Sequence, residues 1–417
     1  MPYRAGMSIA ISLALGMGAS VSAAVTRGQA DSAYTAWYNL YWNGSNSTFF
    51  KKDNKTGRID FWRYAHDWET IMDRYELTRD PVYVTQMKAA WTGFNRTNGM
   101  GTDWKQNDFN DDIEWWIISA SRAYLLTKDT AYSNAAQKNF DWLYATQWDM
   151  TLGGGIWWKN NEKAGKHACS NGPAAVSALN LYEITKDAAY LDKAKAIYKW
   201  ERGALFNANS GSVADNMRAS GSVGGGALFY NQGTFLGPAY RLFTITGDSA
   251  YYRDAIKAID YVKNSMSNRT TGILNNSGYT GDGATFLVIF IRNMMDVIRV
   301  GKQKTYLDWM VLNAESAWKN RRQSDNIMSS NFGSLAPASG LESSSSTGGV
   351  AILTLTVLAT QPTGIVFRGK RGLSANLSAT LGERFSVDGR KAAGKSNVNG
   401  DGNGKGDATP LLRRQRR

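Results

Sequence analysis

Two adjacent carboxylates, Asp111 and Asp112, are the residues of this sequence best suited to chemistry. They stand where a loop gives way to a predicted helix, and Trp104, Trp115 and Trp116 flank them. Acidic residues at a helix start often serve only to cap free backbone N–H groups. A carboxylate pair beside aromatic rings can instead supply the nucleophile and the general acid that cleave a glycosidic bond. The placement of the surrounding loops, described below, favours the second role.

The composition of the chain excludes several other chemistries. The sequence has two histidines, His66 and His167, which leaves little room for a His-based triad or a multi-histidine zinc site. Its one cysteine, Cys169, cannot form an internal disulfide and is expected to be a small packed side chain. No metal ion or cofactor is predicted, because no acidic segment has the ligand spacing of an EF-hand. Acid/base chemistry therefore falls on Asp and Glu, with Tyr and Lys as lesser candidates.

The positive charge is concentrated at one end of the chain. Residues 368–417 hold 12 basic and 4 acidic residues and thus contribute +8 to the net charge of +13. A basic tail is not a basic groove, so nucleic acid is not expected as a partner. The aromatic content of 12%, with 15 Trp, suits either a large core or a sugar-binding cleft.

The two ends of the chain differ from its centre. Residues 1–24 have the pattern of a secretory signal peptide, with Arg4 before a short apolar run and the small residues of 21–24 after it. No stretch is long enough to span a bilayer, so we expect a secreted, extracellular monomer without a membrane span. Residues 25–362 form the predicted catalytic domain. Residues 363–417, basic and rich in Gly and Asn, are expected to be disordered or a secretion or surface appendage.

A repeat runs through the central domain. The pattern aromatic-x-(Leu/Ile)-Thr-x-Asp-x-x-Tyr occurs four times, with its aspartate at Asp80, Asp129, Asp187 and Asp248, in steps of 49, 58 and 61 residues. The pattern indicates that one helix ends near the Thr and that the Asp caps the next helix. Each repeat is thus predicted to be a tight turn between two antiparallel helices.

Periodicity extends the repeat to about twelve helices. Their predicted starts lie near Asp31, Phe61, Pro81, Asp111, Thr130, Gly172, Ala188, Leu228, Ser249, Asp282, Thr305 and Thr347. Strand patterns are sparse, so the fold class is all-α. Six helical hairpins predict a closed (α/α)6 barrel, or toroid, with an open superhelix as the alternative.

The connections between hairpins are long and rich in Gly, Trp and Asn, whereas the turns inside the repeats are short. The long connections are residues 95–110, 149–170, 207–227, 268–281 and 320–348. If the helices alternate around a ring, these connections gather on one face. Functional groups tend to lie on such loops above a rigid scaffold, and Asp111–Asp112 falls at the exit of one of them.

Several blocks resemble one family of enzymes. These blocks are Asn110–Trp116, Gly154–Trp158 with Ser170–Pro173, Tyr230–Gly233, Gly281–Phe286 with Arg292, and Gly348–Ala351. Over about residues 31–360 the chain resembles glycoside hydrolase family 76, the endo-α-1,6-mannanases and their fungal cell-wall relatives. The resemblance implies an (α/α)6 barrel and a retaining mechanism with Asp111 as nucleophile and Asp112 as general acid/base.

The resemblance also suggests the substrate and the residues that bind it. The substrate would be the polysaccharide α-1,6-mannan, cleaved at internal bonds. The candidate substrate-binding residues are Trp104, Asp108, Trp115, Trp116, Trp157, Trp158, Tyr230, Asn231, Gln232 and Asp282. One Trp of each adjacent pair is expected to line the site, because the two members of a pair cannot both face one cleft. Asn231, Gln232 and Asp282 could equally serve as helix caps.

Three other interpretations remain open. The first is a transglycosylase that moves mannose-containing, GPI-type glycans onto cell-wall polymer. The second is a non-catalytic mannan-binding protein, against which the intact aspartate pair argues. The third is another (α/α)6 enzyme, such as an unsaturated-uronide hydrolase or an epimerase. The epimerases rely on histidines, and neither histidine is near the aspartate pair in sequence.

Overall fold

The computed structural model describes residues 25–274, 278–301 and 303–361. The predicted signal segment, 1–24, and the tail, 363–417, lie outside these residues. Twelve α-helices run through the described residues: α1 Arg27–Tyr41, α2 Phe61–Thr78, α3 Pro81–Thr97, α4 Asn110–Thr127, α5 Thr130–Gln147, α6 Ala168–Thr185, α7 Ala188–Ala204, α8 Phe229–Thr246, α9 Ser249–Tyr261, α10 Phe286–Gly301, α11 Lys304–Lys319 and α12 Ser343–Thr360. The all-α prediction is confirmed.

The even-numbered helices form a closed inner ring. Each packs against the next even-numbered helix, from α2 through α4, α6, α8 and α10 to α12, and α12 packs back on α2. The odd-numbered helices lie outside this ring, each against an inner helix. The arrangement is the predicted (α/α)6 barrel, and closure of α12 on α2 excludes the open superhelix.

The four repeated turns connect the inner helices α2, α4, α6 and α8 to the outer helix that follows each of them. In the first, the Thr78 hydroxyl accepts a hydrogen bond from the Asp80 backbone N–H at 3.0 Å, and the Asp80 carboxylate accepts one from the Val82 N–H at 2.9 Å. Arg79 between them takes a left-handed conformation at φ 61°, which ends α2. The turns at Asp129, Asp187 and Asp248 repeat these bonds, so the predicted capping role of the repeat is confirmed.

The long connections run from each outer helix to the next inner helix, at the opposite end of the barrel. They carry five short strands: β1 Trp42–Asn43, β2 Thr48–Phe49, β3 Gly165–His167, β4 Asn216–Arg218 and β5 Val223–Gly224. β1 pairs with β2, and β3, β4 and β5 form an antiparallel three-stranded sheet. As a result, every inner helix begins at the end of the barrel where these loops lie.

Three inner helices begin elsewhere than predicted. α12 begins at Ser343 rather than near Thr347, because the serines of 343–346 are fully buried and form the first turn of the helix. Their small side chains permit close packing of α12, where a Cβ on Gly348 would lie 2.3 Å from the Ser330 hydroxyl. α6 begins at Ala168 rather than near Gly172. α10 begins at Phe286, after a 3₁₀ turn over Asp282–Ala284.

The barrel interior contains a network of buried ion pairs. Arg292 of α10 donates hydrogen bonds to Glu69 at 3.1 Å and Asp73 at 3.0 Å, both on α2. Arg122 of α4 binds the same two carboxylates at 3.2 and 2.6 Å. Buried charges are tolerated when each is paired in this way, so the network ties three inner helices together across the barrel axis.

Among the described residues, none of the helices combines the length and apolar character that crossing a membrane requires.

Candidate active site

Asp111 and Asp112 lie inside the first turn of α4, at the loop end of the barrel. The helix is preceded by Phe109 as N-cap, which makes no capping hydrogen bond through its side chain. By contrast, Asp80 and Asp129 each stand at an N-cap and accept a hydrogen bond from the N–H two residues on. The aspartate pair therefore does not occupy the capping position that the repeat aspartates occupy, and ordinary capping does not account for it.

The carboxylate of Asp111 is partly withdrawn from solvent. Its Oδ1 is buried and makes no hydrogen bond of standard geometry within the described part of the chain. Burial raises the pKa of Asp111 to about 7, while the Cys169 thiol, nearby backbone N–H groups and the Trp158 indole oppose that rise. A carboxylate with such a pKa is ionised at slightly alkaline pH and is poorly solvated, and both properties suit a nucleophile.

Asp112 keeps its proton more strongly than Asp111 does. Burial raises its pKa well above the usual value, and the negative charge of Asp111 raises it further. Asn107 opposes this shift by donating a hydrogen bond to Asp112 Oδ2 at 3.1 Å, whereas the charge of Asp282 adds to it. Two adjacent carboxyls with separated proton affinities can divide the roles of nucleophile and acid.

The structure corrects several of the predicted substrate contacts. Trp104 and Trp116 are fully buried, and their indole N–H groups donate to backbone carbonyls of Gly101 and Phe61 at 3.0 and 2.8 Å. Gln232 is also fully buried, and its amide bonds three backbone groups of the barrel wall. Side chains without accessible surface cannot contact a ligand. The prediction that these residues bind substrate is therefore wrong, because their polar groups serve the core.

In the second Trp pair, one ring lies beside Asp111 and the other is buried. Trp158 is partly exposed, and its indole N–H interacts with the Asp111 carboxylate. Trp157 is buried and donates to Asp149 at 2.8 Å. Asn110 joins this pair to α4, because its backbone N–H donates to the Trp158 carbonyl at 2.8 Å and its side chain to the Trp157 carbonyl at 2.7 Å.

Aromatic rings from other inner helices extend the site. Tyr230 of α8 stacks on Phe286 of α10, with ring centroids 4.0 Å apart and planes at 11°. Trp115 of α4 contacts Tyr230 and Trp62 of α2, each at 6.3 Å between centroids. Trp115 itself is 2% exposed, whereas Trp62 and Phe286 are partly exposed. Trp62 and Phe286 belong to no motif that marks them as site residues in the sequence, although each lies in the first turn of an inner helix, as the aspartate pair does.

The remaining predicted residues fall into different environments. Asn231 is fully buried, and its amide donates to Asp215 at 3.0 Å. Asp282 is exposed, 3.8 Å from the buried Arg63 guanidinium, and acts on Asp112 through its charge. Asp108 is exposed and accepts a hydrogen bond from Asn161 at 3.1 Å. Asp282 thus lies close to Asp112, and Asp108 joins its own connection to the one between α5 and α6. Asn231, like Gln232, has no surface on which to contact a ligand, so its predicted role in binding is also wrong.

Cys169 is a buried side chain, as predicted, and it packs beside the candidate active site. The thiol is buried in the first turn of α6, next to Asp111 and Tyr230. Burial and the charges of Asp111 and Asp215 raise its pKa well above the usual value, so it remains a neutral thiol. Within the described ranges, no cluster of three or more His, Cys, Asp or Glu residues could hold a metal ion.

Comparison with known proteins agrees with this arrangement. The model of glycosyl hydrolase family 76 matches residues 25–356. The structure of the GH76A α-1,6-mannanase from Salegentibacter sp. HEL1_6 is 32% identical, covers 80% of this chain and 99% of that one, and superposes with a TM-score of 0.74. An inactive variant of that enzyme, with two adjacent aspartates replaced by asparagine, was solved in complex with α-1,6-mannotriose; it is 31% identical over the same shares, with a TM-score of 0.73.

A curated relative points the same way over a shorter region. Mannan endo-1,6-alpha-mannosidase DCW1 of Candida glabrata is 26% identical over 217 residues, or 46% of this chain and 47% of that protein. The chain thus spans about half the length of this relative. An (α/α)6 barrel with a carboxylate pair at its loop end defines the class as a helical-barrel glycoside hydrolase. Within that class, the chain belongs to glycosyl hydrolase family 76.

Proposed function

We propose that this protein hydrolyses internal α-1,6-mannosidic bonds of mannan. The observation that carries the proposal is the pair Asp111–Asp112, at the loop end of the barrel and outside the capping position. It is the one pair of adjacent aspartates in the sequence. Replacement of two adjacent aspartates in the Salegentibacter enzyme gave an inactive variant that was solved with α-1,6-mannotriose. This parallel supports both the role of the pair and the class of substrate.

The proposed mechanism is a retaining double displacement. Asp111, as carboxylate, attacks the anomeric carbon while Asp112, as acid, gives its proton to the leaving oxygen. Asp112 then takes a proton from water, which hydrolyses the mannosyl–Asp111 ester and restores the starting configuration. The raised pKa of Asp112 supports its part as proton donor, because the charge of Asp111 opposes ionisation beside it. Retaining enzymes place their carboxyls about 5–5.5 Å apart.

The aromatic rings at the mouth of the barrel supply the apolar surface that pyranose rings stack on. Trp158 and Trp62 are partly exposed there, and Trp158 also interacts with Asp111. We therefore assign the sugar next to the cleaved bond to the surface between Trp158 and Trp62. Asp282 is exposed, and its charge acts on Asp112, so we propose it as a partner for a sugar hydroxyl.

The test is product release from unbranched α-1,6-mannan by the wild type, Asp111→Asn and Asp112→Asn, with mannan binding measured in parallel. We expect oligomannosides from the wild type and losses of at least about 100-fold in both variants with binding kept. Retention of configuration is read by NMR of the first product. Binding without cleavage by the wild type would overturn the hydrolase, and adding an acceptor glycan would then separate transfer from capture. Normal cleavage by both variants would return the pair to a purely structural role.

Export of the protein is a second part of the proposal. Residues 1–24 carry the charge and the apolar run of a secretory signal, with small residues at 21–24. A polysaccharide substrate is consistent with an extracellular site of action. Mass spectrometry of the N-terminus of the protein recovered from culture medium tests this, and a product that still begins at residue 1 would contradict it.

A further inference from the structure

Lys166 is a lysine with no accessible surface. It lies on β3, and its ammonium group donates to the Asp149 carboxylate at 2.8 Å. It also reaches three backbone carbonyls, of Asp149 at 3.1 Å, Thr151 at 2.8 Å and Gly154 at 2.7 Å. Lysine is almost never fully buried unless it is paired, and here four oxygens surround the three N–H groups. All four oxygens belong to one short segment of the chain.

That segment, residues 149–158, is here called the clamped loop. Its glycines adopt backbone conformations with positive φ, and a Cβ added at Gly155 would lie 2.6 Å from Trp200. The glycines have no side chains that could fix them by packing, whereas Ile156 and Trp157 after them are buried. The Asp149 carboxylate that accepts from Lys166 also accepts from the Trp157 indole at 2.8 Å, and the Lys166 ammonium lies 4.6 Å from the centre of the Trp157 ring. Lys166 therefore holds both the start and the end of the clamped loop.

The end of the clamped loop is the part next to the aspartate pair. The carbonyls of Trp157 and Trp158 accept two hydrogen bonds from Asn110, the residue directly before Asp111. The Trp158 ring also contacts Phe109, at 5.2 Å between centroids, and its indole N–H interacts with the Asp111 carboxylate. A continuous chain of contacts thus leads from the Lys166 ammonium through the loop to Asp111.

We propose that Lys166 is a positioning residue for the reaction: its buried ammonium clamps residues 149–158, whose carbonyls bind Asn110, and thereby holds Trp158 beside Asp111. The proposal rests on the proposed function, because it assigns Lys166 a part in that reaction. Lys166 itself touches no substrate. The competing account is that the clamp serves folding alone.

The two accounts differ in the ionisation of Asp111. Contact with the Trp158 indole opposes the rise in its pKa that burial causes, so losing that contact raises the pKa further. If Asp111 must be ionised to attack, the acidic limb of the pH profile of kcat/KM then moves to higher pH. The other titratable groups around Asp111 stay in place in the variants described below; they are Asp112 and Glu114 on α4, Cys169 on α6 and Tyr230 on α8.

The experiment compares Lys166→Met with Lys163→Met. Lys163 is a matched control, because its exposed ammonium binds the same Asp149 carboxylate at 3.3 Å and lies 5.5 Å from the centre of the Trp157 ring. The bonds to the three backbone carbonyls are made by Lys166. On unbranched α-1,6-mannan we expect Lys166→Met to lower kcat about 10- to 100-fold with KM changed less than about threefold, as for loss of positioning. Its acidic limb should move up by about half a pH unit or more. Lys163→Met should match the wild type in both respects.

A second variant keeps the test valid if Lys166→Met does not fold. Trp158→Phe leaves the clamp intact and removes the indole N–H, so it should produce the same shift of the acidic limb. In the double variant the two effects on kcat should be far less than additive. An unshifted limb in Trp158→Phe, or a folded Lys166→Met with wild-type kcat and pH profile, would overturn the proposal.

A measurement that does not depend on activity tests this proposal separately from the proposed function. The Asp111 carboxyl carbon is followed by NMR titration and assigned by its loss in Asp111→Asn. We expect its pKa to rise in Lys166→Met and in Trp158→Phe, whatever the substrate of the protein. If the wild type releases nothing from mannan, the proposed function fails while this titration still decides whether Lys166 controls Asp111.

Discussion

The imidazole of His167 lies parallel to the indole of Trp158, with ring centroids 4.5 Å apart and planes at 14°. Burial lowers the pKa of His167, so the ring is neutral near pH 7 and stacks without a net charge. His167 ends β3, one residue after Lys166. The stack on His167 therefore helps to fix the Trp158 indole, which the clamped loop also holds beside Asp111.

Removing this stack should impair catalysis moderately. Aromatic pairs contribute about 0.5–1.5 kcal/mol beyond their buried area, which corresponds to about 2- to 12-fold in rate if the contact keeps Trp158 in place. We expect His167→Ala to lower kcat on α-1,6-mannan within that range, whereas His167→Phe, which preserves a flat ring, should stay within about twofold. Steady-state kinetics on both variants are the measurement, and equal losses in the two would contradict a stacking role.

The charge at Asp282 should set the alkaline limb of the pH profile. Asp112 must be protonated to act as acid, and the negative charge of Asp282 contributes to its raised pKa. Asp282→Asn removes that charge, so Asp112 loses its proton at lower pH and the alkaline limb moves down. Measuring kcat/KM against pH checks the sign, and an upward movement would contradict the electrostatic account.

A matched control exists for Asp282→Asn on the same face of the barrel. Asp108 is also exposed, but it accepts a hydrogen bond from Asn161 of the connection between α5 and α6 and is not among the charges that raise the pKa of Asp112. Asp108→Asn should therefore leave the alkaline limb where it stands in the wild type.

The aspartate pair should cost the protein stability at neutral pH. A carboxyl with a pKa of about 7 in the folded state and about 4 when unfolded binds more protons folded than unfolded between these values. Stability therefore falls as pH rises from about 4 to about 7 and stays reduced above that window. Asp111→Asn cannot ionise, so its Tm at pH 8 should exceed that of the wild type by about 2–5 °C, with no gain at pH 4. Thermal unfolding at the two pH values tests this, and a gain of equal size at both would exclude ionisation as its cause.

The buried ion network should be far more sensitive than a surface ion pair. Arg292→Met leaves Glu69 and Asp73 with reduced compensation in the interior, so the free energy of unfolding should fall by about 3–5 kcal/mol. Lys138 and Asp103, whose side chains are both exposed, pair at 2.9 Å, and Lys138→Met should cost at most about 1 kcal/mol. Urea denaturation of the two variants gives both numbers, and similar losses would contradict a structural role for the network.

The structural features that could be predicted from the sequence are those made by residues close together in the chain. Each repeat turn is made by a Thr and an Asp two residues apart, so four helical hairpins can be predicted from the sequence alone. The aspartate pair is likewise contiguous. The run Ser343–Ser346 looked like a linker because serine favours turns as readily as helices, and only packing inside the ring shows it to be helical.

The rest of the site depends on contacts between distant segments. Trp104 and Trp116 could not be distinguished from sugar-facing rings, because tryptophan serves cores and clefts alike. Trp62 and Phe286 enter the site through helices far from α4 in sequence. Lys166 carried no pattern at all, since the oxygens around it lie 12–17 residues away on an irregular loop.

Closure of the inner ring by α12 on α2 has a consequence for how the chain folds. In an open array of hairpins, each unit gains most of its stability from its neighbours and can be added in turn. Here the final seam joins helices that lie more than 260 residues apart, since α2 ends at Thr78 and α12 begins at Ser343. Such a contact is slow to form. A nascent chain would thus emerge from the ribosome as an incomplete ring with an exposed edge, and would have to remain unaggregated until its last helix arrives.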